Sequence, residues 1–459
     1  MDLSPVEFPR DAEALLRSHM SPGEWSRICE ALAVPPRTTF LRVNTLIWSR
    51  SEALQATQAY VDEQCAAKGW PSFTVQCHPQ APDVLYVNGV GPLTAQPVEK
   101  EVIVDVLCGN AVLRGADVFA VGVLAAESPM KRGDRVAVYV DLDGACLRGQ
   151  KERYHGRKVF IGNGIALQGR EDIYIYTPKE LAGRGVGIQM TEPLYRSPSF
   201  SSMIHEGVFL QNLPSILVGH VLDPKPGELI LDMCAAPGGK TTHIANLTNN
   251  QSTIIALDRS RPKIERLREH LDSQGYTSIK AFSCDATSCV MSQEETAAWE
   301  SSPEWPSSIK LRRLPRQRFD RIICDAPCSA LGQRPAFNAT ITVPVLSHHP
   351  QYQRQILHAA HALLKEGGML VYSTCTFYAE ENECNVAFIL ETFPDMELVD
   401  IPIQFRLGQR GLPVPGLREE HLAKCWRFNP GSPCGVGIAG EELESIGFFF
   451  ALFRKRLQP

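Results

Sequence analysis

In the second half of the chain, apolar residues come in short unbroken runs, and most of these runs stop at an acid. The run LIL ends at Asp232, IIAL at Asp258, KAFSC at Asp285 and FDRIIC at Asp325, while MLVY is followed by Ser373, Thr374 and Cys375. Runs this short, without helical spacing, read as buried parallel strands. The segments between them are polar or amphipathic: a tight turn at Pro237 to Gly239 with a helix from Lys240, a helix at Phe209 to Val221, and another at Gln353 to Lys365. Alternation of this kind predicts a doubly wound α/β domain over 196–459. It is interrupted at Val290 to Arg318, a Ser, Glu, Pro and Trp stretch that turns basic and reads as a flexible surface loop.

The first half is patterned differently. Asp11 to Met20 and Pro22 to Leu32 have the spacing of short amphipathic helices, Phe40 to Asn44 reads as a strand, Glu52 to Lys68 as a helix, and strands are expected near Val75 and Leu85. Together these make a small α+β unit over 1–101, in which Arg42 is expected to be a solvated strand residue. From Val102 to Tyr195 the texture becomes short β runs with dense glycine, as in a small barrel, so the second unit is placed at 102–195.

Composition changes this picture little. The chain has 459 residues, 44% hydrophobic and 21% charged, with a formal net charge of -5. A nucleic-acid partner would therefore have to be held by a local basic surface. The 14 cysteines include no C-x-x-C pair and no His/Cys set at zinc spacing, so they are expected to be reduced thiols with no metal. No apolar run approaches the ~18 residues of a membrane span, and the expected location is cytoplasmic.

The candidate chemistry sits at the strand ends. Cys234 to Lys240 (CAAPGGK) is a loop whose adjacent glycines let a ligand approach the backbone at a helix start, yet it lacks both the P-loop and the G-x-G-x-x-G spacing. Asp258, some twenty residues further on, suits ribose hydroxyls, and Asp285 suits an adenine edge. Cys328, in Asp325-Ala326-Pro327-Cys328, and Cys375 both end strands of one sheet and can face one crevice. Elsewhere RGQKERYHGRK (Arg148 to Lys158) interleaves Tyr154 with five basic residues and one acid, a candidate RNA-contacting edge.

Gly115 to Leu124, Gly133-Asp134 and Gly162-Asn163-Gly164 resemble a PUA domain, a small RNA-binding barrel, with Val121 departing from the proline frequent there. CAAPGGKTTH, DAPCSALG and STCTFYAEENE resemble the Nol/Nop/Sun RNA cytosine-5 methyltransferases from about Phe40 to the final strand SIGFFFALF. The resemblance implies a Rossmann-like class I methyltransferase domain, with a small N-terminal α+β region and an inserted PUA-like β-barrel. It also implies S-adenosyl-L-methionine as cofactor and Cys375 as the nucleophile that adds to C6 of cytosine. Cys328 would aid removal of the C5 proton or product release, and Asp325 would bond the base.

Carried over residue by residue, the cofactor would be held by Cys234, Ala235, Ala236, Pro237, Gly238, Gly239, Lys240, Asp258, Lys263, Asp285 and Asp325, and RNA by Tyr139, Arg148, Lys151 and Tyr154. The PUA-containing branch of the family acts on the cytosine at position 72 of the tRNA acceptor stem, near the CCA end. That implies tRNA as partner, with mRNA of similar stem-loops as a further one and no obligate protein partner. Ala330 stands where the family usually has glycine. The rival readings are a catalytically silent RNA-binding protein on the same fold and a DNA cytosine-5 methyltransferase using Cys328.

Overall fold

The strand order of the largest sheet sets where a ligand can bind. In this computed structural model, which describes residues 3–176, 180, 185–200, 207–306 and 308–457, the order is Ile279–Ser283, Thr253–Asp258, Leu229–Asp232, Phe319–Asp325, Leu364–Thr374, Phe448–Lys455, Cys425–Phe428, Gln409–Arg410. The first five are parallel and Phe448–Lys455 joins antiparallel. Chain order reverses between Leu229–Asp232 and Phe319–Asp325, a switch point that opens a crevice beyond their carboxyl ends. The β runs are buried on both faces because helices cover both sides, which is why they read as unbroken apolar stretches.

The N-terminal unit is a four-stranded antiparallel sheet in the order Val208–Leu210, Thr38–Val43, Val84–Asn88, Val75–Cys77. Its long helix, Arg50–Lys68, starts at a Ser49/Glu52 capping box and stops at Gly69 in the left-handed region. The central segment forms a six-stranded sheet: Val118–Phe119, Val186–Pro193, Lys158–Ala166, Arg135–Asp141, Glu101–Val104, Val123–Ala126. Its two end strands are joined by the single turn Ala120–Gly122. Residues 177–179 and 181–184 of the expected barrel lie outside the described residues.

Four expectations need correction. Phe209 and Leu210 are strand, not helix: the segment Val208–Leu210 pairs with Leu41 to Val43, and the helix begins at Leu213. The stretch Val290 to Arg318 is not simply a loop. Ser292 and Glu295 form a capping box that starts the helix Gln293–Ser301, a bridge at Ser283/Lys310 ties the stretch to the sheet, and one at Val290/Leu314 closes it on itself. Arg42 is fully buried, because its strand faces the doubly wound α/β domain and its guanidinium bonds Gln211 and Thr242 there. The helix read at Gln353 to Lys365 runs instead over Val343–Leu363, with Pro344 in its first turn. No helix of the described residues is long and apolar enough to cross a membrane.

Candidate active site

Strands Phe319–Asp325 and Leu364–Thr374 are parallel neighbours with Asp325 opposite Ser373, so the loops leaving them emerge side by side. That brings Cys328 Sγ to 3.4 Å from Cys375 Sγ. The hydrogen bond between the thiols, above all, holds Cys375 below the ordinary thiol range; Gln333 and Lys240 add to this, against burial and the Asp325 charge. The same hydrogen bond and burial hold Cys328 well above it. The proton of the pair therefore stays on Cys328, and Cys375 is the readier thiolate. Asp325 accepts from Lys240 Nζ and from Ser373 Oγ, each at 2.6 Å, which fixes both carboxylate oxygens beside the thiols.

Sequence reasoning missed the side chains that hold the Pro-Cys loop. Glu381 accepts from the Ser329 amide at 3.0 Å and from Gln353 Nε2 at 2.8 Å, and the same Gln353 nitrogen donates to the Pro327 carbonyl at 3.0 Å. Glu381 lies within the STCTFYAEENE motif, and that was its only signal. Gln333, whose side chain helps hold Cys375 below the ordinary thiol range, carried none.

The cofactor candidates converge on the other side of the switch point. Asp232 accepts from the Cys234 amide at 3.3 Å and Thr241 Oγ1 at 2.7 Å, pinning the loop between them. Gly238 has φ 109°, and a Cβ there would come within 2.4 Å of Leu267 Cδ1, so both conformation and space demand glycine. Cys234 is not a free nucleophile: burial raises its thiol well above the ordinary range. Asp258 Oδ1 is held at 2.7 Å by the Ser260 amide, and Asp285 Oδ1 is held by the Thr287 amide and hydroxyl at 3.0 and 2.7 Å. The second oxygen of each carboxylate is left to accept from a ligand. Lys263 is exposed on the first turn of the helix Arg261–Ser273. The alternating acids and glycine backbone thus fit a nucleoside with hydroxyl and amino donors.

The basic segment is less open than its composition implies. Tyr154 is buried with its hydroxyl on Asp141 at 2.7 Å, so it is not a stacking platform, because the chain folds back over the sheet there. Arg153 and Lys158 both pair with Glu101, and Arg157 pairs with Asp143. Arg148 reaches the carbonyls of Val121 and Val123, Tyr139 packs on Phe160 with centroids 5.4 Å apart, and Lys151 is exposed.

A cavity of about 1120 Å³ lies where the three segments meet, lined by Arg37, Arg114, Arg196, Gln211, Gln333 and Arg334 among others. Gln333, which helps lower the Cys375 thiol, is part of its wall.

A switch-point crevice with a Gly-Gly loop on one side and paired strand-end thiols on the other defines a Rossmann-like methyltransferase, here joined to a PUA domain. A family model described as 16S rRNA methyltransferase RsmB/F matches residues 219–413, and the PUA domain model matches 100–167. The chain is 43% identical to the tRNA (cytosine(72)-C(5))-methyltransferase NSUN6 of Mus musculus, over 92% of this chain and 88% of that one. To the protein of that name from Homo sapiens it is 40% identical, over 94% and 91%. The crystal structure of NSun6 from Pyrococcus horikoshii with SFG superposes with a TM-score of 0.73 at 28% identity, covering 98% of this chain and 99% of that one. The chain belongs to the Nol/Nop/Sun family of RNA (cytosine-5) methyltransferases.

Proposed function

We propose that the chain is an S-adenosylmethionine-dependent tRNA cytosine-C5 methyltransferase acting on the cytosine at position 72 of the acceptor stem, with recognition of the 3′ CCA end, in the cytoplasm. The observation that carries this reading is the Cys328–Cys375 pair at 3.4 Å beside the Lys240–Asp325 ion pair. The names of the mouse and human relatives support the substrate, and the SFG in the archaeal neighbour, an S-adenosylmethionine analogue, supports the cofactor. The chain divides into an α+β region (1–101), a PUA-like RNA-binding unit (102–195) and the catalytic unit (196–459).

C5 of cytosine is a poor nucleophile, and the residues at the crevice are suited to change that. The Cys375 thiolate adds to C6; the Sγ–C6 bond forms, and the C5–C6 electron pair moves to C5. Asp325 bonds the N3/N4 edge and, with Lys240, balances charge developing in the ring. S-adenosylmethionine, when bound, supplies an electrophilic methyl group. The C5 proton then passes to water, with Cys328 assisting its removal; the electron pair of that C–H bond restores C5–C6 as the Sγ–C6 bond breaks and Cys375 leaves as thiolate. The cofactor is held by Cys234 to Lys240 with Asp258, Lys263 and Asp285. A target in a stem must leave the stack first. Tyr139, Arg148 and Lys151 of the PUA unit would hold the single-stranded end.

The test is transfer of labelled methyl from S-adenosylmethionine to tRNA transcripts with and without CCA. Label that requires both Cys375 and the CCA end supports the reading. Undiminished label with Cys375→Ala overturns the mechanism, and undiminished label without CCA overturns end recognition.

A further inference from the structure

Two buried charged residues of the N-terminal unit reach out of it and seize the same helix, the one that begins at the Gly-Gly turn. Arg42, on strand Thr38–Val43, is fully buried, and each arm of its guanidinium is spoken for. Nε donates to Gln211 Oε1 at 2.9 Å and Nη2 to Thr242 Oγ1 at 2.8 Å. The Asn246 amide, with its oxygen turned toward Arg42, accepts from Nη1 at 2.9 Å. Thr242 passes its own proton to the Gly238 carbonyl at 2.9 Å, so the guanidinium is two hydrogen bonds from the loop itself. Gln211 lies over the helix start: a Cβ on Gly239 would touch its amide at 3.5 Å.

Asp83, which leads into strand Val84–Asn88, accepts from His243 Nε2 at 2.8 Å and from His220 Nε2 at 2.7 Å. Burial opposes its ionisation, yet the two imidazoles facing it hold Asp83 well below the ordinary carboxylate range. Thr242, His243 and Asn246 occupy one face of the helix Gly239–Leu247, three and four residues apart, and each is engaged by Arg42 or Asp83. Lys240, in the first turn of that helix, is the residue that reaches Asp325.

We propose that Arg42 and Asp83 are positioning residues of the cofactor site, a two-point clamp by which the N-terminal unit fixes the depth and rotation of the helix Gly239–Leu247 and, with it, the Gly238 turn and Lys240. Bulk stability does not call for this arrangement, since apolar side chains of similar volume would pack such an interface as well as buried charges do. Directional bonds to three residues on one helix face fix its register, which apolar contact leaves looser. The inference rests on the reading that Cys234 to Lys240 hold S-adenosylmethionine.

The test compares the full-length wild type with Arg42→Met, Arg42→Lys and Asp83→Asn, using amide hydrogen exchange and calorimetric titration with S-adenosylmethionine. Arg42→Met is expected to speed exchange over Thr241 to Leu247 by about tenfold or more while the neighbouring helix Arg261–Ser273 keeps its protection, and to weaken the cofactor Kd by about tenfold. Arg42→Lys, able to satisfy one acceptor but not three, falls between. Exchange that rises equally in both helices, or unchanged exchange over Thr241 to Leu247, overturns the clamp. Should Arg42→Met not fold, Arg42→Lys and Asp83→Asn decide by the same readout. A wild type that binds no S-adenosylmethionine removes the cofactor reading, while the exchange comparison still decides the clamp.

Discussion

The thiol pair shows how one contact shifts two chemically identical side chains in opposite directions. Because Cys375 is held below and Cys328 above the ordinary thiol range, Cys375→Ala should abolish transfer. Cys328→Ala should leave the attack possible but slow the release, so that a protein–RNA adduct accumulates and migrates as a shifted band on a denaturing gel. A second residue-scale effect concerns Asp232, which burial pushes up to about 6. The folded state therefore holds that proton up to about pH 6, while the unfolded chain loses it near 3.9. The native state binds more protons between these values, so this contribution is fully present below about pH 4 and is lost as pH rises to 6. Urea denaturation at pH 4 and 6 should show wild type losing up to about 3 kcal/mol more than Asp232→Asn across that interval. Ala330 adds a third case. Its φ of 56° places a Cβ in the left-handed region, which accounts for glycine being usual there. Ala330→Gly should stabilise the fold by about 1 kcal/mol in urea titration; an unchanged midpoint would mean the loop has absorbed the strain.

Elements that follow one dominant period were legible in the chain, and those that answer to a distant partner were not. The five parallel strands, four of them leading to an acid, could be read because burial on both faces leaves mostly apolar residues within a run. Arg42 could not, because strand alternation tells which face a side chain takes, not what covers that face; here it is a helix of the methyltransferase domain some two hundred residues later. Tyr154 was misread for the same reason: a charge run indicates solvent, but Asp141 draws the phenol inward. The pair Glu383–Arg427 is a further case, joining the helix Glu383–Thr392 to strand Cys425–Phe428 with both side chains buried and a 2.7 Å contact. Arg427→Met should cost about 3–5 kcal/mol, because the Glu383 carboxylate is left without its countercharge. Replacing both, as Glu383→Gln with Arg427→Met, should recover part of the loss in the same denaturation experiment.

At the scale of the whole molecule, the stretch from Gly332 to Asn338 links Cys375 to the six-stranded sheet. The Gly332 amide donates to the Cys375 carbonyl at 3.0 Å, and Gln333 faces the Cys375 thiol. Four residues on, Phe337 packs into the core of the six-stranded sheet, and Asn338 Nδ2 donates to the Leu142 carbonyl at 2.8 Å. One segment thus fixes the distance from the PUA unit to the thiol. An enzyme that selects a base by its distance from a bound RNA end needs such a fixed span, since a loose joint would let neighbouring bases reach the same thiol. Phe337→Ala removes the anchor without touching the crevice. It should leave the S-adenosylmethionine Kd and the rate of Cys375 alkylation by iodoacetamide within about twofold of wild type, because neither depends on the joint. Preference for transcripts bearing CCA over those lacking it should fall by about tenfold, through a higher KM for the complete RNA. Retained preference in Phe337→Ala would mean that the PUA unit is positioned by its other contacts, and that this segment serves the thiol alone.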